Sequence, residues 1–218
     1  MEFSLDKQHE MARDLFREFA EKEVKPNAID VDETEVFPRE TVTKMQKYGF
    51  MGIPIPKEYG GQGCDPLTYA MCVEELAKVC GTTAVIVSAH TSLCCDPILT
   101  YGTEEQKQKF LVPLAKGEKL GAFGLTEPMA GTDAQGVQTR AVLTEDGKEW
   151  ILNGSKCFIT NGSVADTFVV FAMTDPKAGN HGISAFIVER SFPGFSSGKH
   201  EKKMGIRGSS TTDLVFED

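Results

Sequence analysis

Apolar residues recur every three to four positions through the first half of the chain, which is the spacing of helices with one buried face. The first such pattern spans residues 4–25, and Pro26 is expected to end the helix because proline lacks a backbone donor. Pro38 then begins a second helical segment, which Gly49 ends. A loop rich in proline and glycine follows over residues 52–63.

Two more helices follow, and they differ in character. Asp65 stands before a proline, which is a favoured N-cap and first-turn combination, and Gly81 ends the helix that begins there. The stretch 82–101 is too apolar for a surface helix and indicates a buried one, broken or bent near Pro97.

The helical pattern ends near Gly117, and a different pattern replaces it. Thr103 and Gln106 have the spacing of a capping box for the last helix. Beyond Leu120, short runs of β-branched and aromatic residues are separated by turn signals. Three favoured turn pairs fall close together and predict antiparallel hairpins: Asp146-Gly147, Asn153-Gly154 and Asn161-Gly162.

The two patterns together predict an α+β multidomain fold. An N-terminal all-α helical domain is expected over residues 1–117. An all-β antiparallel barrel or sandwich domain is expected over residues 118–218.

The charge balance and the apolar runs narrow the class of protein. The chain has 23 lysine and arginine residues against 32 acidic ones, a net charge of −9, so no nucleic-acid partner is expected. The longest uninterrupted apolar runs are far shorter than the roughly 20 residues that cross a bilayer, so no membrane span is expected. The N-terminus lacks the basic and apolar regions of a secretion signal, and we expect a cytoplasmic protein.

Six cysteines and four histidines raise the questions of disulfides and metals. The chain is long enough to fold without cross-links, so free and mostly buried thiols are expected. The histidines are scattered without a second ligand nearby, which argues against a metal site. Ser196 lies in a G-x-S-x-G pattern, but its β context, with no helix following, does not suit a hydrolase nucleophile.

Two segments of the second half carry the candidate chemistry. Residues 121–134 begin like a buried strand and then turn through small residues and threonines, which leaves backbone amides for an anionic or carbonyl-bearing ligand. A plain connecting loop has the same composition more often. Residues 156–162 place Phe158 and Thr160 on one face of a strand. Such a pair can hold a flat heterocycle, although core packing is its commoner use.

These two segments, with further matches along the whole chain, resemble the acyl-CoA dehydrogenase family, and most closely its bacterial short-chain or butyryl-CoA branch. The further matches are Glu58-Tyr59-Gly60-Gly61, Val73-Glu74-Glu75-Leu76-Ala77, Tyr101-Gly102-Thr103-Glu104-Glu105-Gln106-Lys107, Lys203 to Thr211 and Leu214 to Asp218. The resemblance implies a helical domain, a middle β domain and a C-terminal helical bundle. This sequence stops before that bundle, which in relatives holds the catalytic glutamate and most of the tetramer interface. We therefore expect a truncated chain that binds flavin weakly and is inactive alone.

The resemblance also implies roles for individual residues. The residues expected to contact FAD are Phe123, Leu125, Thr126, Thr132, Phe158, Ile159 and Thr160. The residues expected to border the acyl-CoA are Thr132, Val87, Ser88 and Leu93. Many relatives carry tryptophan where this chain has Phe158, so flavin packing is expected to differ here. Glu127 is expected to hold the loop rather than to act as the base, and no catalytic residue is expected among the 218.

The implied activity is FAD-dependent α,β-dehydrogenation of short-chain acyl-CoA thioesters to trans-2-enoyl-CoA. Hydride passes to the flavin, and electrons then pass to an electron-transferring flavoprotein. A homotetramer is implied for the full-length protein. Two alternatives stay open: a non-catalytic remnant that binds acyl-CoA or a partner protein through the same surfaces, and an oxidase or monooxygenase of the same fold.

Overall fold

The computed structural model describes residues 4–218, which form two compact units. Of the described residues, a helical unit comprises 4–119 together with Lys202–Ser209, and a β unit comprises Leu120–Glu201 together with Ser210–Asp218. The predicted class, a helical domain followed by a β-sheet domain, is confirmed. The predicted domain boundary between residues 117 and 118 stays a prediction. A single boundary there would assign Lys202–Ser209 to the β domain, whereas these residues belong to the helical unit.

Eight α-helices lie in the described part of the helical unit. They are α1 (Lys7–Phe19), α2 (Ala28–Thr34), α3 (Arg39–Lys47), α4 (Pro66–Val79), α5 (Gly81–Ser88), α6 (Asp96–Tyr101), α7 (Glu104–Gln106) and α8 (Val112–Ala115). The rings of Phe16 and Phe19 meet the ring of Phe50 edge-on, at centroid distances of 5.2 and 4.9 Å. These aromatic contacts hold α1 against the turn that follows α3.

Prolines have the same effect on three of these helical runs. A π-helical turn ends two residues before each of Pro26, Pro97 and Pro113. Proline removes a donor and its ring crowds the carbonyl four residues earlier, and a wider turn relieves both effects. The prediction that Pro26 ends the first helix is wrong for this reason, because the chain stays helical through Lys25–Asn27 and continues as α2. Near Pro97, where a break or bend is predicted, the π-helical turn Ala89–Cys95 interrupts the α-helical bonding, and the run then continues as α6. The three turns are Ala20–Val24, Ala89–Cys95 and Lys107–Leu111.

The predicted helix caps are confirmed. The Asp65 carboxylate accepts a hydrogen bond from the Thr68 amide at 2.8 Å, at the start of α4. Thr103 and Gln106 make the two reciprocal bonds of a capping box, at 3.3 and 2.9 Å. Gly49 ends α3 with a φ of +75°, a left-handed conformation that glycine adopts without strain.

The helical run Gly81–Tyr101 joins α5 to α6 through a π turn. By length and composition alone, it is the one helix in the described part of the chain that could cross a membrane. Of its most apolar window, 61% is buried inside the protein, and Val87 and His90 are fully buried. This burial is that of the core helix predicted from the sequence.

Seven strands make up the β unit. They are β1 (Gly121–Gly124), β2 (Arg140–Leu143), β3 (Trp150–Thr160), β4 (Thr167–Met173), β5 (Ile183–Glu189), β6 (Phe195–His200) and β7 (Thr211–Phe216). They form one sheet in the order β1-β4-β2-β3-β7-β6, and β5 pairs with β4. Ala122 of β1, Phe168 of β4 and Leu214 of β7 lie in one buried cluster, so the sheet curls around its core.

The strand pairing contains two parallel contacts that the sequence did not predict. β1 pairs with β4 in parallel. β2 also pairs with β4 in parallel, through the single residue pair Arg140 and Met173. The other described pairings are antiparallel. A parallel neighbour requires a long connection, and β2 and β3 lie in the connection between β1 and β4.

One of the three predicted turns is wrong. Asn153-Gly154 lies inside β3, where Gly154 has a φ of +144°. A Cβ atom at Gly154 would stand 2.7 to 2.9 Å from atoms of Thr139, so a close backbone approach rather than a turn requires glycine here. Asp146-Gly147 does lie in the hairpin between β2 and β3. Asn161-Gly162 forms a turn after β3, but the predicted hairpin there is wrong, because β3 and the next strand, β4, are not neighbours in the sheet.

All six cysteines are free thiols, and five of them are buried, as the sequence predicts. Burial raises the pKa of Cys72 to about 12, so this thiol stays protonated. Within residues 4–218, no three His, Cys, Asp or Glu side chains are grouped so that they could hold a metal ion.

Candidate functional site in the β unit

The two segments singled out in the sequence meet in the β unit. β1 ends at Gly124, and a segment of irregular backbone, Leu125-Thr126-Glu127, leads from it into the tight turn at Pro128-Met129. This three-residue segment is called the Leu125-Thr126 turn. The backbone amide of Cys157 donates a hydrogen bond to the carbonyl oxygen of Thr126 at 2.8 Å. This bond joins the turn to the part of β3 that carries Phe158 and Thr160.

A β-bulge in β3 directs Phe158 outward. The register between β3 and β7 shifts between Lys156 and Ile159, and the Cys157 amide bonds to the turn. Phe158 has a φ of +60°, a left-handed conformation that is uncommon for a bulky residue. Phe158 is 64% exposed, whereas Ile159 is 2% exposed and belongs to the β core. The bulge therefore presents an aromatic ring at the surface.

Thr126, on the turn, and Thr160, two residues after Phe158 in β3, each carry a hydroxyl group. Both residues are half-buried, and neither hydroxyl has a hydrogen-bond partner within the described residues. Burial alternates from Phe158 through Ile159 to Thr160, as expected where Phe158 and Thr160 share a face. A half-buried hydroxyl without a partner is available to a ligand.

Phe123 and Leu125 are partly engaged by contacts within the protein. Phe123 pairs with Val169 in the β1–β4 ladder, and its ring packs edge-on against Phe171 at a centroid distance of 5.3 Å. The Leu125 carbonyl accepts a hydrogen bond from Lys156 Nζ at 3.3 Å. Both residues are half-buried, so only the solvent-exposed part of each can contact a ligand.

A buried ion pair adjoins the turn. Lys156 Nζ stands 2.6 Å from Glu127 Oε1, and the two side chains are 0% and 4% exposed. Glu127 Oε1 also accepts a hydrogen bond from the Thr139 amide at 3.0 Å, and Oε2 accepts one from the Gln138 amide at 2.6 Å. Both carboxylate oxygens are therefore engaged.

The two charges of this pair depend on each other. Burial raises the pKa of Glu127, but the hydrogen bonds from Lys156, Thr139 and Gln138 outweigh burial and hold that pKa below its usual value. Burial lowers the pKa of Lys156, and the Glu127 carboxylate opposes this shift. A carboxylate held ionised by three donors is poorly placed to take a proton from a substrate.

The remaining candidate residues have different surroundings. Thr132 is exposed in the loop after β1, and Ile159 packs in the core, where it can offer a ligand only its backbone. In the helical unit, Val87 is fully buried, Ser88 is half-buried and Leu93 is 42% exposed. The residues that the structure brings together in the β unit are Leu125, Thr126, Phe158 and Thr160.

No sequence motif indicated Lys156 as a functional residue. A signal was available, because strand alternation places Lys156 on the same face of β3 as Leu152, which packs against the core. A charged residue at an inward-facing position requires a buried partner. That partner, Glu127, lies 29 residues earlier, and only the folded sheet brings the two together.

Two family descriptions cover nearly the whole chain. Residues 6–118 match the acyl-CoA dehydrogenase N-terminal domain, and residues 122–218 match the acyl-CoA dehydrogenase middle domain. The chain belongs to the acyl-CoA dehydrogenase family. In this acyl-CoA dehydrogenase chain, the gap between the two matches lies where the helical unit gives way to the β unit.

Individual relatives agree with the family match. The short-chain specific acyl-CoA dehydrogenase of Clostridium acetobutylicum is 65% identical over 218 residues, which is 100% of this chain. The structure of butyryl-CoA dehydrogenase from Megasphaera elsdenii superposes with a TM-score of 0.96 at 49% identity, over 100% of this chain and 57% of that one. An acyl-CoA dehydrogenase complexed with FAD from Bacillus anthracis superposes with a TM-score of 0.92 at 40% identity, over 99% of this chain and 37% of that one.

The chain covers only part of each of these relatives. It spans 57% of the length of the Clostridium acetobutylicum protein. The matched part consists of the N-terminal and middle domains. The activity, substrates and partners of those longer proteins therefore describe this chain only as proposals.

Proposed function

We propose that this chain forms the N-terminal and middle domains of an FAD-dependent acyl-CoA dehydrogenase, which converts short-chain acyl-CoA thioesters to trans-2-enoyl-CoA. Family membership and 65% identity to a protein named short-chain specific support the reaction and the substrate class. The observation that carries the flavin site is the 2.8 Å hydrogen bond from Cys157 to Thr126, which sets the turn beside Phe158 and Thr160.

The groups in this place fit a flavin. Phe158 offers an exposed aromatic face, and a flat heterocycle packs well against such a face. The hydroxyls of Thr126 and Thr160 lack partners among the described residues and can hydrogen-bond the polar edge of a ring. When bound, FAD supplies the acceptor for the hydride that leaves the substrate.

The chain's own residues bind and orient in this proposal. Thr126 and Thr160 hold the ring edge, and Phe158 covers a ring face and excludes water from it. Glu127 is not the proton acceptor, because Lys156, Thr139 and Gln138 engage both of its oxygens. None of the residues described here is proposed as the catalytic base.

The partners are proposed on the same basis. Electrons would leave the reduced flavin for an electron-transferring flavoprotein, and the full-length protein would form a homotetramer in the cytoplasm. Thr132 of the β unit and Val87, Ser88 and Leu93 of the helical unit are proposed to border the acyl-CoA. The full burial of Val87 limits it to shaping the packing behind such a pocket.

Titration with FAD tests the proposed site. The purified chain should bind FAD and alter its visible absorbance and fluorescence. Phe158→Ala should weaken FAD binding roughly 2- to 12-fold, the value of one aromatic contact. Phe192→Ala is the matched control, since Phe192 is another exposed phenylalanine of the β unit, and it should leave binding unchanged.

Two results would count against the proposal. Equal FAD affinity in Phe158→Ala and the unaltered chain would remove the site from β3. A chain that stays colourless with FAD yet binds butyryl-CoA would favour the non-catalytic alternative, and peroxide release by the flavin-loaded full-length enzyme would favour an oxidase.

A further inference from the structure

We propose that Lys156 is a positioning residue, which fixes the Leu125-Thr126 turn in the shape that meets the flavin. This inference rests on the proposed FAD site. It adds a role for a fully buried lysine that contacts neither the exposed ring of Phe158 nor the free hydroxyls of the site.

Lys156 and its neighbour contact three consecutive residues of the turn. Lys156 Nζ donates to the Leu125 carbonyl at 3.3 Å and to Glu127 Oε1 at 2.6 Å. Between these two contacts, the Cys157 amide donates to the Thr126 carbonyl at 2.8 Å. The turn is therefore bonded to β3 at each of its three residues, while the Thr126 hydroxyl is left free.

Glu127 extends these contacts into a closed hydrogen-bond network, called the circuit below. Its carboxylate accepts from the amides of Gln138 and Thr139, and the Thr139 hydroxyl donates to the carbonyl of Ser155 at 3.3 Å. Ser155 directly precedes Lys156, so the circuit returns to its start. It ties the end of β1, the segment before β2 and the middle of β3 into one hydrogen-bonded unit.

The sheet leaves room for the lysine stem. A Cβ atom at Gly124 would stand 3.3 Å from Lys156 Cγ and 3.4 Å from Leu214 Cδ1, so glycine allows the stem to pass through the core. A buried ion pair seldom stabilises a fold more than an apolar pair of the same volume does. The pair instead fixes the conformation of the turn, because Lys156 Nζ donates to one acceptor before Thr126 and to another after it.

The test compares two roles for Lys156. If it only neutralises Glu127, removing both charges should restore the site, because Lys156→Met with Glu127→Gln leaves no buried charge. If it positions the turn, the double variant should fold but lose the site, because methionine cannot donate to the Leu125 carbonyl. Lys148→Met is the matched control, since Lys148 is 79% exposed in the hairpin before β3.

Amide hydrogen exchange and FAD titration on the whole chain provide the readouts. In the double variant, exchange of the Cys157 amide should quicken roughly tenfold or more, and the dissociation constant for FAD should rise by a similar factor. One of the Gln138 and Thr139 amides should stay protected and the other should exchange faster, because the single amide oxygen of glutamine can replace only one carboxylate oxygen and its NH2 group cannot accept. The visible circular dichroism of bound FAD should change in the double variant and not in Lys148→Met.

The outcomes separate this inference from the proposed function. Unchanged Cys157 protection and an unchanged FAD signature in the double variant would overturn the positioning role. If the unaltered chain binds no FAD, the proposed function fails, while the exchange of Cys157 still decides whether Lys156 fixes the turn. Lys156→Met alone is not needed for the decision and can fail to fold without affecting it.

Discussion

Glu75 in the helical unit and Glu127 in the β unit are both buried carboxylates paired with basic side chains, but their partners differ. Glu75 contacts Arg17 at 3.2 Å and Lys78 at 2.9 Å, and the side chains of these partners are 50% and 51% exposed. Glu127 contacts Lys156, whose side chain is 0% exposed. The partners of Glu75 are thus half-exposed to solvent, whereas the partner of Glu127 is fully buried.

The difference shows how the two units manage a buried charge. Burial raises the pKa of Glu75, but the hydrogen bonds from Arg17 and Lys78 lower it overall, and both cations keep part of their hydration. In the β unit, neither member of the pair can turn to water. Removing one member there leaves a stranded charge, whereas removing Glu75 leaves two cations that solvent can still reach.

The largest effect is expected for Lys156→Met. This change leaves Glu127 buried and unpaired and should lower the unfolding free energy of the β unit by about 3–5 kcal/mol. Trp150, the single tryptophan, lies in β3, so its fluorescence during denaturant unfolding reports on the β unit. Lys148→Met should change stability by less than about 0.5 kcal/mol, and an equal loss in both variants would contradict the stranded-charge account.

A smaller effect is expected for Glu75→Gln. The loss of charged hydrogen bonds should cost the helical unit about 1–2 kcal/mol, because Arg17 and Lys78 are half-exposed and regain water. Unfolding followed by far-ultraviolet circular dichroism measures the change. Glu74→Gln is the control, since Glu74 is 62% exposed and pairs only at the surface. A loss of unfolding free energy as large as that of Lys156→Met would contradict the proposed difference between the two units.

Asp65 extends the comparison to a helix end. Its carboxylate caps α4 through the Thr68 amide, and these Thr68 bonds, with that of His9, lower its pKa to about 2 from 3.8. Because the folded-state pKa is lowered, the Asp65 contribution is complete above about pH 4 and disappears as the pH falls through about 2. Asp65→Ala should cost about 1 kcal/mol at neutral pH and nothing at the lowest pH, measured by acid titration of helicity.

The smallest effect is expected at His9, which bridges the carboxylates of Asp6 and Asp65 at 2.9 Å each. Hydrogen bonds to Asp65 and Asp6 raise the pKa of His9 above 6.5. Its contribution is therefore complete below about pH 6.5 and is lost as the pH rises through the folded-state pKa. The melting temperature of the unaltered chain should fall over that range, and the fall should be absent in His9→Gln. A fall of equal size in His9→Gln would assign it to another group.

Local signals in the sequence predicted those elements that local chemistry determines. The Asp65 cap, the Thr103 capping box and the ends of α3 follow from residues a few positions apart, and the structure confirms them. Pro26 shows the limit of such signals. A proline predicts a break, but a π turn before it absorbs the missing bond and lets the helix continue.

Asn153-Gly154 failed for a different reason. The pair has the composition of a hairpin turn, yet Gly154 is glycine because Thr139 of the preceding segment lies against its backbone. The parallel β1–β4 pairing is likewise a matter of which strands meet. Both are contacts between residues distant in sequence, and no local pattern records them.

Residue patterns along the chain are enough to predict that helices precede strands, where several helices begin and end, and which family motifs the chain carries. Those features depend on hydrophobic periodicity, caps and turn residues, which act over a few positions. The burial of Lys156 against Glu127 and the contact of the Leu125-Thr126 turn with β3 are visible only once the chain is folded. A buried charge is tolerated only where the fold supplies its partner, and that partner is chosen by the curl of the sheet rather than by neighbouring residues.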